Sequence, residues 1–284
     1  MENKAIATIA RTNEILEMFK LHAKKGYGQN FIIEPRIVEK IADASLCAGG
    51  CAIEIGPGIG ALSEQLCKRA DFVRAYEIDE RLPEVLAFSM AEYTNFEVVL
   101  QDFLTCNFDE VVQSLRDKYG KVVVCANLPY YITTPILFKI FDSPIQVDAI
   151  TVMMQKEVAE RFAAQPKTKD YNALSVQAQY LYDVKRVMKV PKSVFNPRPQ
   201  VDSEVIRFEP REREEIKDTN AFFELVRACF KQRRKMMYNN LKEYLGADKA
   251  RLLVNKAALS DKTRSEELGL SDFIHLYHCL EELV

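Results

Sequence analysis

The chain has 284 residues, which at roughly 150 residues per domain suggests one large domain or two unequal ones. Its 48% hydrophobic and 28% charged residues are those of an ordinary soluble globular protein, which excludes a disordered, collagen-like or disulfide-stapled chain. Thirty-nine basic against 41 acidic side chains leave a net charge of −2, which by itself argues for no nucleic-acid partner.

Residues 1–11 place Glu2, Lys4 and Arg11 around a short apolar patch and lack the pattern of a secretory leader. No uncharged apolar run reaches the ~18 residues needed to cross a bilayer. The spacing of apolar residues predicts an amphipathic helix over 12–22, followed by a loop through Lys24-Lys25-Gly26-Tyr27-Gly28-Gln29-Asn30-Phe31. Cys51 to Ile55 reads as a short buried strand, followed by glycines and a helix over 61–69. Strand, helix and strand are expected at 72–78, 80–92 and 96–101. Val122-Val123-Val124-Cys125-Ala126 is a fourth strand, nearly continuous in apolar residues as a strand covered on both faces should be. A helix over 134–141, a strand over 149–153 and a helix over 155–163 continue the alternation. This order predicts an α/β fold with a mostly parallel, doubly wound sheet. Strands at 184–190 and 203–208, separated by a loop holding Pro191, Pro197 and Pro199, are expected as a hairpin-like pair ending the sheet. The run Arg211-Glu212-Arg213-Glu214-Glu215 reads as a linker and 219–284 as several helices. The expected domains are therefore 1–210, α/β, and 211–284, small and all-helical.

Between the first strand and the helix after it stands Glu54-Ile55-Gly56-Pro57-Gly58-Ile59-Gly60-Ala61. Glycines there let the chain turn tightly and let a ligand approach the backbone. Gly56, Gly58 and Ala61 satisfy the dinucleotide fingerprint, and the same loop also fits enzymes that bind S-adenosylmethionine. In either case Glu77, ending the second strand, can accept both hydroxyls of an adenosine ribose. Asp102, after the third strand, is placed to accept from an adenine amino group, or simply to cap a helix.

Asn127-Leu128-Pro129-Tyr130-Tyr131 follows the fourth strand, on the side of the sheet where ligands bind. Methylating an exocyclic amine of adenine needs acceptors for its two N–H groups, because its lone pair is delocalised into the ring. A carboxamide oxygen and a main-chain carbonyl supply them, a proline fixes the carbonyl, and an aromatic ring stacks on a base taken out of its own stack. Asn127, Leu128, Pro129 and Tyr130 provide all of these. Phe195, in a loop, is a candidate for the other face of the base clamp, with core packing as the plain alternative.

Together with Gly28-Gln29-Asn30-Phe31, Met154-Gln155-Lys156-Glu157-Val158-Ala159, Phe195-Asn196-Pro197-Arg198-Pro199-Gln200-Val201-Asp202-Ser203 and Gln232-Arg233-Arg234-Lys235, these motifs resemble those of the ribosomal RNA adenine dimethyltransferases. The resemblance runs from about residue 12 to the end and is to the bacterial small-subunit branch of that family. It implies a Rossmann-like S-adenosylmethionine-dependent methyltransferase sheet and cofactor contacts from Asn30, Ile32, Gly56, Gly58, Glu77, Asp102 and Asn127. It implies a catalytic base site of Asn127, Leu128, Pro129, Tyr130 and Phe195. It further implies N6,N6-dimethylation of two adjacent adenines in a hairpin loop near the 3′ end of 16S rRNA, within the small ribosomal subunit or its precursor. Ile32 stands where leucine is usual, and Met236-Met237 where Thr-Leu or Thr-Ile is common.

Charge is segregated despite the neutral total. Residues 71–118 hold eleven acids against four bases, whereas 185–198 hold five bases and 227–242 six, neither with an acid. Lys192, Arg198, Lys231, Arg233, Arg234 and Lys235 are thus expected to contact RNA phosphates, unless they form a solvated helix face. Seven cysteines without a C-x-x-C pair point to reduced thiols in the cytosol, six of them as core fillers. His275-x-x-His278-Cys279 has metal-like spacing but no fourth ligand nearby, so no metal is expected. A monomer is expected. The competing readings are a large-subunit rRNA adenine methyltransferase of the antibiotic-resistance type, a non-catalytic assembly factor and a nicotinamide-dependent oxidoreductase; the last leaves 127–131 without a role.

Overall fold

The computed structural model describes residues 5–23, 28–233 and 235–283. In chain order the strands are β1 (Phe31–Ile32), β2 (Cys51–Ile55), β3 (Phe72–Glu77), β4 (Phe96–Leu100), β5 (Val122–Asn127), β6 (Ala149–Gln155), β7 (Tyr182–Val190), β8 (Phe195–Asn196) and β9 (Ser203–Pro210). Seven of them form one sheet in the order β4-β3-β2-β5-β6-β9-β7. The pairs β3–β4, β2–β3, β2–β5 and β5–β6 are parallel, and β9 runs antiparallel to β6. The chain builds outward from β2 to β4 and then returns to the other side of β2 with β5. That reversal opens a crevice at the carboxyl ends of β2 and β5. β2 is wholly buried and β5 is buried up to Asn127. Two covered faces explain why β5 reads as a nearly continuous apolar run.

The helices between strands follow local signals. Ala61–Cys67 starts at Gly60, whose φ of 95° is in the left-handed region. Phe108–Tyr119 is capped by the Asn107 side chain, carries Asp109 and Glu110 in its first turn, and ends with Arg116 and Lys118 before Gly120 at φ 75°. These charges complement the helix dipole. The first helix is Ile9–Met18 rather than 12–22, because Thr8 accepts a hydrogen bond from Arg11 N and starts it earlier. A helix at Pro35–Ala44, with proline in its first turn, has no counterpart in the sequence pattern. Neither has one at Ala173–Leu181.

The second sheet is small. β1 and β8 pair antiparallel, with Phe31 opposite Asn196 and Ile32 opposite Phe195. Phe195 therefore sits on a two-residue strand and not in an open loop.

By packing, the chain divides into two compact units. One is Met1–Ala159 with Lys185–Pro210, and the other is Glu160–Val184 with Arg211–Val284. The expected 1–210 domain assigned 160–184 to the α/β part. Packing assigns it to the helical unit, because Tyr180 of Ala173–Leu181 lies 5.1 Å from the Phe222 ring of Thr219–Cys229. All seven cysteines are free and buried. Among the described residues, no helix is long and apolar enough to cross a membrane, and no cluster of His, Cys, Asp or Glu could hold a metal ion.

Candidate active site

An open cleft of about 760 Å³, continuous with solvent, is lined by the carboxyl ends of β2, β3 and β5 together with 28–32 and Phe195. All of it belongs to the first unit. Its floor is the glycine loop. Gly56 has φ +70°, and a Cβ built there would meet nothing within 4 Å, so the loop turns a bare backbone to the cleft. Gly58 has φ +61°, and a Cβ there would lie 3.4 Å from the Phe31 ring.

Glu77 ends β3 as the period of the strand requires and is 5% exposed. Its Oε1 accepts from Ile78 N and Asp79 N, each at 2.9 Å, and its Oε2 accepts from Gly58 N at 3.3 Å. Burial raises its pKa, and the three N–H bonds oppose that rise. The carboxylate thus ties the end of β3 to the glycine loop, and Glu77 lines the cleft. Asp79 anchors the neighbouring segment, since Gln29 Nε2 donates to its Oδ2 at 2.9 Å and Arg81 Nη2 at 2.6 Å. The Arg81 guanidinium holds the Asp79 carboxyl well below the usual range. That fixes 28–32, where Asn30 Nδ2 donates to Gly28 O at 2.9 Å.

The loop after β5 shows its chemistry by what its polar groups already do. Leu128 N donates to Met153 O at 3.1 Å. Pro129 O accepts from Ile132 N at 3.2 Å and from the Thr133 hydroxyl at 3.0 Å. The Tyr130 hydroxyl bonds Ser203 Oγ at 2.7 Å. Among the described residues, the Asn127 carboxamide and the Leu128 carbonyl are left with no hydrogen bond. An amide oxygen and a main-chain oxygen are therefore held at the cleft, with acceptor capacity unused. Phe195 lines the same cleft and is also part of the hydrophobic core.

The cleft brings together Asn30, Ile32, Gly56, Gly58, Glu77, Asn127, Leu128, Pro129, Tyr130 and Phe195. It leaves out Asp102, which caps the short helix Phe103–Thr105 by accepting from Leu104 N at 2.9 Å. Gln101 N donates to Glu77 O at 2.9 Å, so Asp102 stands one residue beyond the Glu77 site.

Glu54, to which the sequence pattern assigns no role, is a cleft residue only 1% exposed, and its Oε2 has no hydrogen-bond partner. Burial pushes its carboxyl up to about 8; the Ser63 hydroxyl acts against this and Glu77 adds to it. The signal is a charged residue inside an otherwise apolar strand.

The basic residues differ among themselves. Lys231 pairs with Glu243 at 2.6 Å and Arg233 with Glu266 at 3.3 Å. Lys192 Nζ donates to Gln200 O at 3.0 Å. Lys235 is exposed, and Arg234 lies outside the described residues. The Arg198 side chain is exposed and unpartnered among the described residues. His278 bonds Glu214 at 2.8 Å and Glu281 at 3.1 Å.

Residues 20–282 match a sequence model of the family described as ribosomal RNA adenine dimethylase. The proteins named ribosomal RNA small subunit methyltransferase A in Bacillus cytotoxicus and Bacillus mycoides are 46% and 45% identical over 285 residues, covering 98% of this chain and 98% of each of theirs. Among solved structures, a dimethyladenosine transferase from Plasmodium falciparum is similar with a TM-score of 0.74 and 25% identity, over 88% of this chain and 97% of that one. The 23S rRNA methyltransferase ErmE shares the fold, with a TM-score of 0.67 at 24% identity over 89% of this chain and all of that one.

Proposed function

The chain belongs to the ribosomal RNA adenine dimethylase family, and from that premise we propose that it transfers methyl groups from S-adenosylmethionine to the N6 amines of two adjacent adenines. These lie in a hairpin loop near the 3′ end of 16S rRNA, and the modification belongs to small-subunit assembly. The relatives that span nearly the whole chain carry small-subunit names, which supports this substrate over the large-subunit one. The proposed setting is the cytoplasm, with the protein acting as a monomer.

The observation that carries the reading is the pair of unused acceptors, Asn127 Oδ1 and Leu128 O, beside the glycine loop. Two features of the cleft fit a sulfonium amino acid joined to adenosine. The bare backbone at Gly56 leaves room for a close approach, and the unpartnered, buried Glu54 oxygen can accept a hydrogen bond from a charged amine. Glu77 would accept the ribose hydroxyls; Asn30 and Ile32 would line the same ligand, and Asp102 would receive its adenine amine. When bound, S-adenosylmethionine supplies an electrophilic methyl group whose leaving group is a neutral thioether.

Asn127 and Leu128 accept the two N–H bonds of the target amine, which draws its lone pair out of the ring and toward the methyl carbon. Tyr130, anchored through Ser203, and Phe195 hold the extruded base between two rings. Pro129 keeps the Leu128 carbonyl in place. The nitrogen becomes strongly acidic only as the new C–N bond forms, so positioning and acceptor placement are the main contributions and no strong base is needed. Asn127→Ala is expected to reduce methyl transfer to unmethylated small ribosomal subunits on the order of a hundredfold or more. Cofactor binding, followed by calorimetry, should largely persist. Mass mapping of the methylated adenines reads the product. Full activity of this variant would remove the proposed site.

A further inference from the structure

Tyr131 projects a large aromatic ring into solvent at the lip of the cleft. It is 58% exposed, whereas Tyr130 before it is half-buried and tied to Ser203. One cleft residue, Gly28, lies against the ring. Gly28 takes φ +60° and passes beside it, such that a Cβ there would lie 3.5 Å from Tyr131 Cδ1 and 3.6 Å from Pro129 Cβ. The glycine keeps 28–32 close to the ring without a side chain between them. Tyr131 therefore stands beside the 28–32 wall of the opening and is not itself among the residues that line the cleft.

A nucleic-acid strand whose target base enters the cleft continues past this lip. The base next to the target is then partly unstacked and offers a π-face at the opening, where an exposed aromatic ring is a sequence-tolerant platform. Resting on the proposed methylation of an RNA adenine in this cleft, we infer that Tyr131 stacks on the nucleotide adjacent to the target base and so sets which base is presented to Asn127. It is a positioning residue; it touches neither the methyl group nor the amine.

The test compares Tyr131→Ala, Tyr131→Phe and Asn127→Ala with the unaltered protein, using unmethylated small ribosomal subunits as substrate. Tyr131→Ala should raise KM for the particle roughly tenfold, the size of one lost base–aromatic stack, with a smaller change in kcat. Tyr131→Phe keeps the ring and should restore KM. The cofactor isotherm and the thermal midpoint should match the unaltered protein in both. An unchanged KM for Tyr131→Ala, or equal damage from Ala and Phe, overturns the stacking role. The two ideas separate cleanly: activity in Asn127→Ala removes the base site, whereas an inactive Asn127→Ala beside a normal Tyr131→Ala removes only the platform.

Discussion

Glu54 shows how a single residue links the fold to its chemistry. Its carboxyl is buried in the middle of the sheet, one oxygen unpartnered, and its pKa stands at about 8 against an ordinary value of 4.5. Between those two values the folded protein keeps a proton that the unfolded chain has lost. Folding takes up a proton in that window, so the contribution of this group to stability is present at low pH and declines as pH rises toward 8, by at most about 1.4 kcal/mol per pH unit. Glu54→Gln keeps the shape without the charge. Urea unfolding at pH 5.5 and 8.0 should therefore show a smaller loss on going alkaline in the variant than in the unaltered protein. Parallel losses would mean that Glu54 is not the group responsible. The same substitution should weaken cofactor binding if the unpartnered oxygen receives a charged amine.

At the scale of elements, the two-residue ladder between β1 and β8 has the largest consequence. It places Ile32, on the proposed cofactor side, directly opposite Phe195, on the proposed base side, and Ile33 N donates to Val194 O at 2.8 Å. The two proposed halves of the site thus share one set of backbone hydrogen bonds. Phe195 is 4% exposed and belongs to the core, so Phe195→Ala should cost about 3–5 kcal/mol of stability as well as activity. Phe195→Leu separates the roles, since it fills most of the volume without an aromatic face. It should unfold near the normal midpoint in a thermal melt while methyl transfer falls severalfold. A fully active Leu variant would reduce Phe195 to packing.

For the whole molecule, RNA attraction must come from local charge, since the total is −2. Ion pairing ranks the candidates. Lys231 and Arg233 face Glu243 and Glu266, and their removal also frees a carboxylate, whereas Arg198 has no such partner among the described residues. Arg198→Ala is expected to lower the slope of log affinity against log salt for ribosomal particles by about one, the signature of one lost phosphate contact. Arg233→Ala should change the slope less. The reverse order, measured by binding at several salt concentrations, would place the phosphate contacts in the helical unit and not at Arg198.

The alternation of β2, β3, β4, β5 and β6 was legible because each strand is a local run of apolar residues, and the glycine loop, Glu77 and the 127–131 loop were legible because each occupies a fixed place after a strand. Periodicity and turn chemistry act over a few residues, so sequence alone carries them. Three things waited for the tertiary structure. Phe195 meets Ile32 across 163 positions of chain, Glu54 loses its water only when strands close on both sides of β2, and 160–184 joins the helical unit through Tyr180 and Phe222. Each depends on which distant surfaces come into contact, a property of the folded chain that no local pattern encodes.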